Sequence, residues 1–561
     1  MTRPTMTAPA PASRREFLGT LGSATTAAMA GVGVTLDSGV APAAADAAVP
    51  AATSAPGDRI AQAYAIRIRA ADRMAAVPLP AQVSNGDEAN VPLYAANHSK
   101  ALPHDGLGHV DPNAYGQLLD ALASGANADF EAIALGPGQR PLTNPQAGLA
   151  FDCEGLDPQQ FVQPPPPTFA SAEEAGEMVE LYWMSVLRDV NFLHYGTHPL
   201  AAAAASELNA LSDFRGPRIA GLVTPQTLFR DDLPGALTGP YLSQFMWLDT
   251  PFGAEAVSRR MKTLRPRTDH ATRFDDWLAI QNGFVPRSDR FDPVRRFIRN
   301  GRDLGQWVHI DVLFQAYFNA CLILGTPPAG GGLGCPANPS NPYLGSQTQI
   351  GFGTWGAPFF KTILCEVATR ALKAVWFQKW FVHRRLRPEE FGGRVHVHKS
   401  GLFQYPLHGD VLGARVVELL RRRNGSYLLP LVFPEGSPTH PSYGAGHATV
   451  AGASVTILKA LFDENFVIPH PVVVNGPGTR LLPYGGAPLT VGGELNKLAS
   501  NVATGRNIAG VHWRSDARES MLLGERVAYE VLKDTLSLCH EDMNQGVSFT
   551  GFDGTTINVT P

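Results

Sequence analysis

Three cations fall where this sequence should have a core. On the stretch ending near position 382, Ile363, Val367, Ala371, Ala374 and Val375 recur at helical spacing, and the same stripe runs on to Gln378, Lys379 and Val382. Lys379 therefore points inward. The stripe Leu495, Leu498, Ala499, Val502 and Ala503 likewise continues to Arg506. Arg387-Pro388 follows Lys379 by eight positions, where the chain can fold back over the same space. Converging buried cations are costly unless paired, so they call for an anionic partner. That partner is either a protein carboxylate, with Glu366, Glu389, Glu390 and Glu494 as candidates, or a bound oxyanion.

The neighbouring motifs favour the oxyanion. His440-Pro-Ser-Tyr-Gly-Ala-Gly-His447 precedes an amphipathic helix with Val450, Ala453, Ile457, Leu458 and Leu461 inward. Its glycines permit close backbone approach, and free N–H groups at a helix start attract anions, so Gly446 is a candidate anion contact. His447 lies on the buried stripe. In Arg506-Asn-Ile-Ala-Gly-Val-His512-Trp-Arg-Ser-Asp516, His512 precedes another helix, with Ser515 as its expected N-cap. Asp516 can accept from one ring nitrogen of His512 and leave the other as an electron-pair donor. His396-x-His398 has no third ligand at a characteristic spacing and reads as loop surface; Trp376, Trp380 and Trp513 read as core or pocket wall.

These residues need helices to carry them. Helical periodicity predicts helices over 171–190 (Ser171 and Glu174 forming a capping box), 307–324, 357–382, 409–422, 448–462, 494–509 and 515–538. Strand-like runs are few and short. Pro and Gly cluster at 164–167, 329–334, 336–342 and 476–488, which read as loops. The expectation is a single, mainly α-helical domain over 49–561. Residues 1–48 read as an export segment, with Arg14-Arg15, a mild apolar run and small-residue cleavage options near 43–48, resembling a twin-arginine signal. The protein is then expected in the periplasm or outside the cell. The net charge of -4, from 46 Lys plus Arg against 50 Asp plus Glu, supplies no field for nucleic acid. No later segment is apolar for long enough to span a membrane. Five scattered cysteines lack a C-x-x-C pair; Cys365 reads as a buried core thiol, and one or two disulfides remain open.

The combined order Lys379-x7-Arg387-Pro388, His440-Pro-Ser-Tyr-Gly-Ala-Gly-His447 and Arg506-x5-His512-x3-Asp516 resembles the vanadium-dependent haloperoxidases, particularly the algal-type bromoperoxidases and their bacterial relatives. The resemblance implies an all-α fold of two four-helix bundles and a vanadate cofactor bonded through His512. It implies that Lys379, Arg387, Arg506 and the Gly446 N–H hold the vanadate oxygens. His447 becomes the acid–base group, Lys379 also polarises bound oxidant, His440 lies near the halide approach, and Asp516 orients His512. Hydrogen peroxide, a halide (bromide or iodide) and a small organic acceptor are the implied substrates, and phosphate a competing anion. No haem, flavin or nicotinamide is called for, and a homo-oligomer, dimer or larger, is expected. Family members commonly have Ser where this chain has Ala445, which bears on vanadate affinity.

Two other classes fit parts of this pattern. A phosphomonoesterase of the same superfamily would use His512 as the nucleophile, through a phosphohistidine. The seven-residue gap before Arg387, where the phosphatases typically have six, the longer loop to His447, and the added His440 speak against it. A secreted scaffold would leave the converging cations unexplained.

Overall fold

The computed structural model describes residues 56–561, so the 1–48 segment lies outside the described residues. Residues Tyr64–Pro561 form one compact unit; of the other, Met1–Ala63, the described part is the start of the helix Pro56–Ala76. Eight helices bear on the site: α1 (Ala172–Leu187), α2 (Gly301–Trp307), α3 (Gln315–Gly325), α4 (Ala357–Phe377), α5 (Pro388–Lys399), α6 (Gly446–Leu461), α7 (Val491–Ala509) and α8 (Arg514–Leu538). Among the described residues, strands form four two-stranded antiparallel pairs and no larger sheet.

α4, α6, α7 and α8 make a four-helix bundle, with α6 packed against the other three. Every residue of α6 except His447 is buried, which suits its Ala, Val, Ile and Leu content. The α6–α8 crossing is close because two glycines face it. A Cβ on Gly452 would sit 2.0 Å from the Met521 carbonyl oxygen, and one on Gly524 2.1 Å from that of Thr449. α1 packs on α7 and on the short helices Pro199–Asn209, Gly409–Leu412 and Arg415–Asn424.

Four sequence expectations need correction. The stretch 307–324 is helical only from Gln315; Trp307 ends the preceding helix, and the connection between them carries Asp311 to His447. The stretch 409–422 is also two helices. The last turn of the 357–382 helix widens to a π turn, Gln378–His383, which buries Gln378, Lys379 and Trp380 in succession, as one α-helical face cannot. The N-cap of α8 is Trp513, not Ser515, whose N–H and hydroxyl go instead to Glu177.

Smaller departures follow the same logic. Ser171 caps α1 through the Glu174 N–H, but the Glu174 carboxylate does not return to complete a box; it goes to Arg385. His396 and His398 lie on α5, half-buried, and accept from the Tyr427 and Tyr405 N–H groups. Cys365 is half-buried, and all five cysteines are free thiols.

Candidate active site

The π turn delivers Lys379 into the bundle, where its ammonium donates to the carbonyls of Pro441 (2.8 Å) and Ser442 (3.0 Å). The chain leaves the turn through Arg384, at φ 41°, and Pro388 at the first position of α5 fixes Arg387 as an extended N-cap. The Arg387 guanidinium then clamps two loops. It donates to the His440 carbonyl (2.9 and 2.8 Å) and His440 Nδ1 (2.9 Å), and to the Val511 carbonyl (2.8 Å) and His512 Nε2 (2.9 Å). Arg506, near the end of α7, donates from Nη1 to the Val308 carbonyl (2.7 Å), while its buried Nε finds no partner. Its guanidinium carbon stands 5.0 Å from the centre of the Phe433 ring.

His512 Nδ1 lies 2.8 Å from Asp516 Oδ2. A carboxylate can only accept there, so Nδ1 carries the proton and Nε2 presents a lone pair toward the cations. Asp516 is itself fixed: Oδ1 accepts from Arg385 Nη1 (2.8 Å), and Oδ2 also accepts from the Ser442 hydroxyl and the Trp513 N–H (3.2 Å). His447 Nε2 lies 3.0 Å from Asp311 Oδ1, which leaves Nδ1 as the nitrogen able to take a proton. The His440 ring packs 4.9 Å from the half-buried Trp376, whose indole N–H donates to Thr143, so Trp376 forms a wall of the site. A Cβ on Gly446, the first residue of α6, would press on that indole at 3.1 Å.

The carboxylates available to neutralise these cations are used elsewhere. Glu366 pairs with Arg370, Glu389 with Lys100, Glu390 with His98, and Glu494 with Lys497. Among the described residues, no salt bridge reaches Lys379, Arg387 or Arg506, although they are only 0%, 0% and 4% exposed. The cost shows in their proton affinities. Burial, then the nearby Arg387, holds the Lys379 ammonium well below its ordinary value; burial and Arg506 bring Arg387 down to about 9, and burial brings Arg506 to about 10. Burial and the same cations keep His512 and His440 far below the usual histidine range. One bound oxyanion would relieve all of these penalties at once.

The structure thus brings together all eight residues singled out from the sequence. Asp311, Arg385, Ser442, Glu174 and Glu177 were not among them. Arg385 adjoins Arg384 in a charged run, Glu174 stands at a capping position, and Asp311 falls within a continuous helical pattern.

A helical bundle that gathers three cations and a helix start around the electron-pair nitrogen of a carboxylate-anchored histidine defines an oxyanion-binding protein. The histidine can bond the oxyanion's central atom. Residues 418–541 match a family model described as the VCPO second helical-bundle domain. A vanadium-dependent bromoperoxidase of Corallina pilulifera is 36% identical over 557 residues, covering 83% of this chain and 91% of that protein. One from Ascophyllum nodosum is 34% identical over 524 residues, covering 88% and 92%. The homohexameric structure of a second vanadate-dependent bromoperoxidase from Ascophyllum nodosum superposes with a TM-score of 0.87 at 32% identity, covering 94% of this chain and 95% of that one. The chain belongs to the vanadium-dependent bromoperoxidase family.

Proposed function

We propose that this protein oxidises bromide or iodide with hydrogen peroxide, using vanadate held at His512, and so delivers an electrophilic halogen to small organic acceptors. The observation that carries the site assignment is the set of three buried cations near His512 that have no carboxylate partner among the described residues, with Arg387 donating to its Nε2. Lys379, Arg387, Arg506 and the Gly446 N–H would hold the oxygens, and His512 Nε2 the metal. The unpartnered Arg506 Nε and the side-chain-free approach at Gly446 suit such a group. When bound, vanadate supplies a Lewis-acidic centre for peroxide; the rest is done by the chain. His447 would accept a proton at Nδ1 while Asp311 steadies its other nitrogen, the Lys379 ammonium would donate to an oxygen of the oxidant, His440 and Trp376 would border the halide approach, and Asp516 fixes the His512 tautomer. This chemistry needs no haem, flavin or nicotinamide.

Vanadate-dependent bromination of a phenol-red-type acceptor, run beside phosphate-ester hydrolysis, tests the proposal. Bromination that requires vanadate and peroxide is expected; ester hydrolysis without it would overturn the assignment.

Residues 49–561 are read as the catalytic domain, and 1–48, through Arg14-Arg15, as a twin-arginine signal for export to the periplasm or medium. No described helix is long and apolar enough to cross a membrane. A homo-oligomer is proposed from the homohexameric relative.

Two predictions attach to this site. Burial lowers the proton affinity of His447 and Asp311 raises it, so Asp311→Asn lowers it further. The base form is the active one, so the acid limb of the kcat profile moves to lower pH, and the weaker base cuts the plateau by about tenfold or more. Profiles measured from pH 4 to 8 decide this; an unmoved limb would remove His447 from the role.

Ala445 is the N-cap of α6, with extended backbone (φ -83°, ψ 121°) and no capping side chain. A serine there has one donor for an oxyanion and lone pairs for the first-turn N–H groups. Ala445→Ser is expected to tighten vanadate about tenfold, the low end for a hydrogen bond to a charged group, and to add about 1 kcal/mol of stability. Vanadate titration and chemical unfolding read the two effects separately.

A further inference from the structure

Behind His512, on the side away from the cations, one guanidinium meets three carboxylates. Arg385 donates to Asp516 (2.8 Å), to Glu177 (3.2 Å) and to Glu174, and all four side chains are buried. Glu174 and Glu177 lie three positions apart on α1, so both face the same point. Glu177 also accepts the N–H (2.8 Å) and hydroxyl (3.0 Å) of Ser515, in the first turn of α8. α1 is thereby tied to the segment that carries His512. A cavity of about 180 Å³ opens beside the cluster, its lining including Glu177, Ser515, Arg514, Asp231, Arg518 and Glu519.

We propose that Arg385, Glu174 and Glu177 form a positioning unit for His512: the guanidinium fork sets the Asp516 carboxylate, and the two glutamates hold the fork while carrying one proton between the pair, on either residue. The proposal rests on His512 being the oxyanion-bonding residue. Three full negative charges against one buried positive charge are unfavourable, and a shared proton restores most of the balance. Burial raises the proton affinity of both glutamates against the opposing pull of Arg385, bringing Glu177 up to about 7. The fork matters because Asp516 Oδ2 must stay on His512 Nδ1 while Oδ1 is anchored: Arg385 reaches Asp516 from one terminal nitrogen and both glutamates from the other, a fixed separation that the single nitrogen of an ammonium does not offer.

The test compares Glu174→Gln, Glu177→Gln, the double variant and Arg385→Lys, all near-isosteric, by calorimetric binding of vanadate and of inorganic phosphate to the cofactor-free protein. The ⁵¹V resonance of bound vanadate and the kcat-against-KM split are recorded alongside. Glutamine mimics a protonated glutamate, so each single glutamine variant should bind within about threefold of the parent. The double variant leaves Arg385 pulling on Asp516 alone and should lose about tenfold with a shifted resonance. Arg385→Lys should lose about tenfold for both anions. Single variants as damaged as the double would overturn the shared proton, and parental affinity with an unmoved resonance in Arg385→Lys would overturn the positioning role. Parent protein that binds neither anion would instead sink the site assignment on which the proposal stands.

Discussion

Replacing His512 with alanine abolishes halide oxidation, by about a thousandfold or more, and leaves the protein folded. The loss is large because the imidazole is, among the described residues, the side chain placed to bond the centre of the oxyanion, whereas the cations would hold its oxygens. The fold persists because Asp516 keeps the Arg385, Ser442 and Trp513 donors that fix the start of α8. Phosphate, held by the same cations, should still bind the variant, more weakly by about tenfold at most. Turnover within tenfold of the parent at saturating vanadate would refute the role of His512, and circular dichroism would report whether folding had failed instead.

Lys379→Met should move function and stability in opposite directions. Methionine nearly conserves the volume and removes a buried ammonium whose contacts are two carbonyls and no carboxylate. Loss of a charge-assisted contact costs the oxyanion about 3 kcal/mol, or about a hundredfold in affinity. Without an anion the same change removes a desolvation penalty and relieves repulsion from Arg387 and Arg506. The cofactor-free protein should gain about 2 kcal/mol, seen as a rise of about 2 °C in Tm for a body of this size. Calorimetric titration of vanadate and a melting curve give both numbers from one preparation. A lower Tm for the methionine variant would mean that the carbonyl contacts outweigh the burial penalty.

The inward cations could be read from sequence because helical periodicity is a local signal: Lys379 and Arg506 each continue an apolar stripe of their own helix. The His440–His447 and Arg506–Asp516 motifs are equally local, and so is the helix-start position of Gly446. What the sequence does not carry is partnership across the chain. Arg385 meets Glu174 across more than two hundred residues, and nothing in either neighbourhood indicates the other. The break after Trp307 was hidden for a different reason. Leu313, Phe314 and Phe318 sustain the apolar pattern through it, and no proline or glycine marks it, because the residue that redirects the chain is an aspartate bonded to a distant histidine. The π turn is silent in the same way, since it changes the pitch of the helix and not its composition.

The connection from Trp307 to Gln315 holds two halves of the site together: the Val308 carbonyl takes Arg506, and Asp311 takes His447. Val308 is buried and His309 stacks on Phe433, but the middle of the connection is open, with Ile310 and Val312 69% and 58% exposed, whereas Lys379 is set by the bundle and Arg387 by the start of α5. Segments of this kind open at lower free energy than the body they join. On warming, the enzyme should therefore lose its proton-transfer machinery before it melts, becoming inactive while still folded and still able to hold an anion, and regain activity on cooling.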